Sequence, residues 1–227
     1  MAAGANGYIV HEDRSRVIVA TGFTRPSQNA KTGPMIQVWI LVKKESPLDA
    51  RSNGHTGIIC GDCPLQNGTC YVDLGKAPQG IWKAYKRGSY PKLPSVDVFS
   101  GKTVRFGAYG DPVFIPFQLL KSIATVSRGF TGYTHQWRNP LFTAYRQFVM
   151  ASVETQDGLA QAHTAGWRTF RVTADLTDRT STELVCPNTT RGISCLDCRL
   201  CGGTSRKAKN IVIEVHGIGK KHLQTIN

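Results

Sequence analysis

The sequence predicts an α/β protein of parallel βαβ units, built as a small or incomplete βα barrel behind an N-terminal β-hairpin. Three observations predict it. Apolar, β-branched runs recur along the chain, and the clearest, residues 35–42 (M-I-Q-V-W-I-L-V), reads as a strand covered on both faces. Amphipathic stretches fall between these runs, so strand, loop and helix recur about four times, the rhythm of parallel crossover units. A length of 227 residues, 41% of them hydrophobic, supplies one sizeable core and lies within the range of a single α/β barrel.

Taken in order, Tyr8-Ile9-Val10-His11 and Arg16-Val17-Ile18-Val19-Ala20 flank the polar turn Glu12-Asp13-Arg14-Ser15 and predict a hairpin. Residues 27–34 are loop, closing an N-terminal segment of 1–34, and a βα core follows over 35–184. After the first core strand comes a long polar arm, 43–57, and then a short helix over 81–87. Residues 104–106 form a strand running into a Gly-rich turn, and 114–127 an amphipathic helix with Phe117, Leu120, Ile123 and Ala124 on one side. Strand is expected at 130–135, a helix start at 140–145, and strand at 147–153. Thr155 is placed to cap a helix reaching Ala165, with Gly166 as its left-handed stop. Residues 168–173 alternate as a strand, and 185–227 hold a cysteine-rich loop, a last strand at 210–216 and a basic tail. No linker divides the chain, so one domain over 1–227 is expected.

Lys and Arg number 28 against 15 Asp and Glu, a formal charge of +13. That excess attracts nucleic acid without sequence specificity, or solubilises the surface. Arg206, Lys207, Lys209, Lys220 and Lys221 concentrate it near the C-terminus, as a phosphate-contacting run or a solvated tail. No apolar stretch approaches the roughly 18 residues a membrane helix needs, and no signal-like N-terminus is visible, so a cytoplasmic protein with no membrane partner is expected.

Seven cysteines in a reducing compartment point to metal rather than to disulfides. Cys186, Cys195, Cys198 and Cys201 are spaced C-x8-C-x2-C-x2-C, a full tetrahedral shell for one zinc or one cubane iron–sulfur cluster. Cys60, Cys63 and Cys70 follow C-x2-C-x6-C. Three thiolates leave one position of a cubane, or of a zinc, open to a small molecule, unless His55, His135 or Asp62 closes the shell. In βα sheets ligands gather beyond the carboxyl ends of the strands, so both cysteine groups, with Asp111, His135 and Glu154, are expected on one rim. His135-Gln136-Trp137-Arg138 offers an aromatic with donors for stacking on a base, or a rim loop with a buried Trp. Ser152 has no G-x-S-x-G context, which argues against Ser-His-Asp hydrolysis.

The order of motifs is a three-cysteine loop ending Cys70-Tyr71, then V-R-F-G-A-Y-G-D-P, F-T-G-Y-T-H-Q-W, V-M-A-S-V-E-T-Q-D-G-L-A-Q-A-H-T-A-G-W-R-T-F-R-V and a cysteine-rich C-terminus. It resembles the phage- and plasmid-borne relatives of radical S-adenosylmethionine barrels, of the mycobacteriophage gene product 88 type. The resemblance implies a 4Fe-4S cluster on Cys60, Cys63 and Cys70, although the barrels mostly use C-x3-C-x2-C. It further implies S-adenosylmethionine contacts from Gly107, Gly110, Asp111, Ser152 and Glu154, an auxiliary cluster on the Cys186 group, and a host-cell cytoplasmic setting. The resulting expectation is one or two iron–sulfur clusters in a radical-type protein acting on or with nucleic acid or a protein partner. A non-catalytic nucleic-acid-binding module with structural zinc, and an electron-transfer protein, stand beside it.

Overall fold

The computed structural model describes residues 4–66 and 70–215. The predicted hairpin is there: β1 (Gly7–Glu12) and β2 (Arg16–Thr21) run antiparallel, with Tyr8 opposite Ala20 and Glu12 opposite Val17. The Asp13 carboxylate makes the turn by accepting the N–H groups of Ser15 and Arg16, each at 2.7 Å. β3 (Ile36–Val42) pairs antiparallel with β2 on one side and parallel with β4 (Thr103–Tyr109) on the other, and β5 (Gly129–Thr131) follows in parallel. A strand in the middle of such a sheet is covered above and below, which is why its sequence is almost unbroken apolar.

A second sheet takes over at Gly132. Its strands are β6 (Tyr133–Thr134), β7 (Met150–Val153), β8 (Thr169–Thr173), β9 (Glu183–Val185) and β10 (Asn210–Glu214), ordered β6-β7-β8-β10-β9 and all parallel. Gly132 alone separates β5 from β6; its N–H donates to the Cys201 carbonyl at 3.2 Å and its carbonyl accepts from Met150 at 3.0 Å. The ladder is thereby handed from one sheet to the next.

The α/β class and the parallel βαβ rhythm hold, but the described strands form two open sheets and no closed barrel. The physical reason lies at the two edges. The antiparallel β1–β2 hairpin occupies one, and β9 occupies the other beyond β10, so the edges end in different partners instead of pairing with each other. β9 was not expected from the sequence: it has three residues and one of them is Glu183.

Helices flank the sheets. α1 (Pro47–Ser52) falls within the long polar arm and α2 (Gly57–Cys60) begins at its last residue, the first capped by the Ser46 hydroxyl accepting from Asp49 N–H. α3 (Ala77–Lys86) begins four residues before the predicted helix. α4 (Phe117–Val126) starts late because Pro112 and Pro116 hold the preceding residues in a single 3-10 turn and an extended link. α5 (Gln156–Thr164) is capped as expected, Thr155 Oγ1 accepting from Gly158 N–H at 3.0 Å, with Gly166 left-handed beyond its end. α6 (Pro187–Arg191) and α7 (Cys195–Cys198) are single turns in the cysteine-rich loop. Between sheet and helices lies a core that includes Phe106, Leu120, Ile123, Val149, Leu159 and Ala162. The last strand ends at Glu214; His216, its expected end, lies outside the described residues.

One buried charge cluster pins the far edge. Arg171 on β8, 1% exposed, donates Nε to Glu183 Oε1 at 2.7 Å and Nη1 to Asp178 Oδ2 at 2.7 Å. Burial opposes ionisation of Glu183, but Arg171 and the Thr180 N–H outweigh it and hold its carboxyl below the usual range.

Candidate metal centre

The opposite face of the sheets is concave and polar in places. Side chains two apart along each strand line it: Arg105, Gly107 and Tyr109 from β4, Thr131, Tyr133 and His135 from β5 and β6, Phe170 and Val172 from β8. Two cavities, about 330 and 100 Å³, share Leu65, Tyr71, Tyr133, Phe170 and Val172 and so form one chamber. Cys60, Cys63 and Cys70 line its smaller end, and Cys186 and Cys195 its larger end.

The Cys60 end is built by the arm after β3. Asp111 N–H donates to the Ile59 carbonyl at 2.7 Å, and Gln136 Nε2 to the Cys60 carbonyl at 3.1 Å, so the thiol loop is stitched to the ends of β4 and β6. Gly110 (φ +77°) permits this approach: a Cβ there would sit 2.7 Å from Ile40 Cβ. At Gly61 a Cβ would sit 2.5 Å from the Gln136 amide carbon.

Burial pushes the Cys60 thiol up, and the neighbouring Cys63, Cys70 and Asp111 add to the shift; burial also raises Cys70. Thiols so crowded lose their protons only when a cation arrives to share, which is the behaviour of metal ligands. The Tyr109 hydroxyl is buried, lies in the field of Cys60 and Cys70, and has no hydrogen-bond partner among the described residues. An orphaned donor beside soft sulfur suits a thiolate or sulfide acceptor. His135 contacts Cys63 and presents Nε2 to Glu154 Oε1 at 2.7 Å. Burial works against the imidazolium, but Cys63 and Glu154 outweigh it and bring its pKa up to about 10. Among the described residues no group of three or more His, Cys, Asp and Glu side chains is drawn tightly enough to hold a metal ion.

Gly107, Gly110, Asp111 and Ser152 line the same end of the chamber as the three thiols. Asp111, however, has both oxygens engaged: Oδ1 accepts from Val113 N–H at 3.1 Å, and Oδ2 from Thr134 Oγ1 and His135 N–H at 3.0 and 2.9 Å. Its carboxylate ties β4 to β6. Glu154 stands behind His135 instead of at the cavity wall. Among the candidates for a fourth ligand, His135 is beside the thiols, whereas His55 is 52% exposed and paired with Glu45.

The Cys186 group lies elsewhere than expected. Cys186 does follow a strand end, that of β9, but the chain then turns back: Cys201 O reaches Gly132, Leu200 O accepts from Arg168 just before β8, and the Arg199 side chain crosses Gly129 at the start of β5. The two cysteine groups therefore face each other across the chamber and do not share one rim; the intervening β9 redirects the loop. Cys186, Cys195, Cys198 and Cys201 surround a cavity of about 20 Å³ closed by Tyr133, Ile193 and Ile211. Burial pushes Cys201 up to about 12, the Tyr133 hydroxyl bonding its sulfur, and raises Cys195. A space of that size takes one water-sized particle.

Trp137 is not a stacking platform. It is 4% exposed, its indole N–H donates to Ser152 O at 3.0 Å, and Arg138 covers its ring at 3.9 Å. Of the basic residues near the C-terminus, Arg206, Lys207 and Lys209 are exposed, with Arg206 donating to Arg199 O and Lys209 to Ser181 O. Lys220 and Lys221 lie outside the described residues. Sequence reasoning passed over Arg105, Tyr109 and Tyr133; the alternation along β4 and β6 was the signal that could have placed them beside the cysteines. No helix among the described residues is long and apolar enough to cross a membrane. No family model, curated protein or solved structure matches the chain.

Proposed function

We propose that the protein is an iron–sulfur protein of the radical S-adenosylmethionine type that works alongside nucleic acid, with a cluster on Cys60, Cys63 and Cys70. The observation that carries this reading is that three thiols from one loop open onto a chamber at the carboxyl ends of parallel strands. The donor set is all sulfur, the thiols are partly buried and close together, and a spare hydroxyl lies beside them. When bound, such a cluster supplies one-electron chemistry and an iron position open to an amino and a carboxylate group.

The chain's own residues then have separable roles. Tyr109 donates toward the sulfur of Cys60 or Cys70, and His135, oriented by Glu154, donates toward Cys63. Gly107 and Gly110 leave backbone exposed where a ligand approaches. Asp111 keeps the Cys60 loop, β4 and β6 in register. The Cys186 group forms a closed centre, and its small cavity favours a single zinc there. The net charge of +13 supports a nucleic-acid partner on the outer surface.

A second reading rests on His135. Contact with Cys63 on one side and a carboxylate on the other is the arrangement of a metal-binding histidine, so Cys60, Cys63, Cys70 and His135 make a Cys3His set for structural zinc. Anaerobic purification with iron, sulfide and zinc counted per chain, followed by calorimetry with S-adenosylmethionine, decides. Four irons with sulfide and saturable S-adenosylmethionine binding are expected; two zincs and no binding would replace the first reading with the second.

A further inference from the structure

Two arginines in these sheets, Arg171 fully buried and Arg105 half-buried, are treated differently. Arg171, on the outer face, is matched by two carboxylates. Arg105, on β4 and inside the chamber, has its Nη2 3.3 Å from the Tyr71 hydroxyl and has no carboxylate within ion-pair reach among the described residues. Its other near neighbours are Tyr133 and Cys195. A half-buried guanidinium with no carboxylate beside it is open to a counter-charge brought by a ligand.

The surroundings say what would supply it. Arg105 stands on the wall between the 330 Å³ cavity and a neighbouring one of about 460 Å³. The 330 Å³ cavity is lined by Lys31 as well as Arg105 and, among the described residues, by no Asp or Glu. Leu65, Phe170, Val172 and Ile213 make the rest of its wall largely apolar. This volume is within the range of small-molecule sites. We propose that the chamber binds a small ligand with an apolar body and an anionic head, a carboxylate or a phosphate monoester, and that Arg105 grips the head.

The guanidinium fork suits both head groups, since each offers two oxygens to two parallel N–H donors. The inference deepens the reading above, because it takes the chamber between the cysteine groups as the place where the substrate lies.

The test is calorimetry on metal-loaded full-length protein with three probes: 3-phenylpropanoate, phenyl phosphate and the neutral 3-phenylpropanamide. One or both anions should bind at least about tenfold more tightly than the amide, the value of one charge-assisted contact, and the stronger anion identifies the head. Arg105→Gln should erase the preference, and Arg105→Lys should keep part of it. Equal binding of acid and amide by the wild-type protein, or no binding of either anion, overturns the proposal and leaves Arg105 as a counter-ion to the Cys195 end. A preference that survives Arg105→Gln overturns it too. Cys63→Ser, which lacks the open-site metal, should retain the preference. Anion selectivity in wild-type protein that purifies without iron would remove the cluster reading alone, and a full cluster without selectivity would remove this inference alone.

Discussion

The two cysteine groups share a chamber but differ in what surrounds their sulfurs. Cys60, Cys63 and Cys70 come from a loop stitched to two strand ends, beside a cavity of about 100 Å³ and a histidine–carboxylate pair. Cys186, Cys195, Cys198 and Cys201 close around about 20 Å³, with Tyr133 on one sulfur and apolar side chains around them. The first opens onto the chamber through all three thiols, whereas the second encloses a small space of its own and shows only Cys186 and Cys195 to the chamber. A closed shell feeds its binding free energy into folding, whereas an open one spends part of it on whatever enters.

The largest effect should therefore come from the closed group. Cys198→Ser removes one of the four proposed ligands from a loop whose regular structure, among the described residues, is two single turns, α6 and α7. The loss should be several kcal/mol, a large fraction of the roughly 5–15 kcal/mol that holds a domain folded. The variant should be poorly soluble or cut rapidly by protease at low enzyme ratios. A normal melting temperature for Cys198→Ser would mean the four thiols do not hold the structure.

Next comes the edge that carries Cys186. β9 is held to β8 through Arg171 and Glu183, whose side chains are 1% and 0% exposed. Glu183→Gln leaves a buried guanidinium with only the partly exposed Asp178, which should cost about 3–5 kcal/mol. Chemical denaturation measures it. The same pair sets a pH dependence. Glu183 and Asp178 are both held below their usual values of 4.5 and 3.8, so their contribution is present above those values and is lost as pH falls through the lowered ones. Stability should fall on acidification below about pH 4, and Glu183→Gln should flatten that slope. An unchanged slope would place the acid sensitivity elsewhere.

The contrast between the groups also marks what could be read from residues alone. β1 to β4, β7, β8, α4 and α5 carry their own signals: alternation, β-branched runs, a Thr155 cap, a Gly166 stop. Short-range chemistry of that kind survives in any tertiary setting. β9 carries none, because three residues with a Glu among them look like loop until Arg171 is seen to be buried beneath them. That omission displaced the Cys186 group, since the loop after β8 was free to be drawn to the wrong end of the strands. The membership of each cysteine group was fixed by spacing, while the facing of the two groups across the chamber depends on the turn at Gly132 and on Arg199 crossing Gly129. Asp111 shows the reverse case: its position at the strand end was right, and its carboxylate is consumed by Val113, Thr134 and His135, which no sequence pattern announces.

Cys63→Ser should disturb stability far less than Cys198→Ser, by about 1 kcal/mol or less, because its loop remains tied down through Ile59 and Gln136. Metal analysis should show one centre lost and the other intact. Loss of both centres, or of neither, would mean that the groups do not act as separate sites.

The smallest change is the most discriminating. Glu154→Gln keeps the shape of the side chain and removes the charge that orients His135. If His135 donates a hydrogen bond to Cys63 and an iron position stays open, iron and sulfide counts should be unchanged and the fold barely altered. The proposed reading expects this outcome. If His135 is instead the fourth ligand of a zinc, weakening its carboxylate partner should reduce metal affinity about 10–100-fold, because the orienting group sets both the tautomer and the basicity of the ring. Competition with a calibrated chelator separates the two. A loss of that size would close the fourth position with a protein side chain, and the Cys60 group would then become a second structural centre like the one it faces.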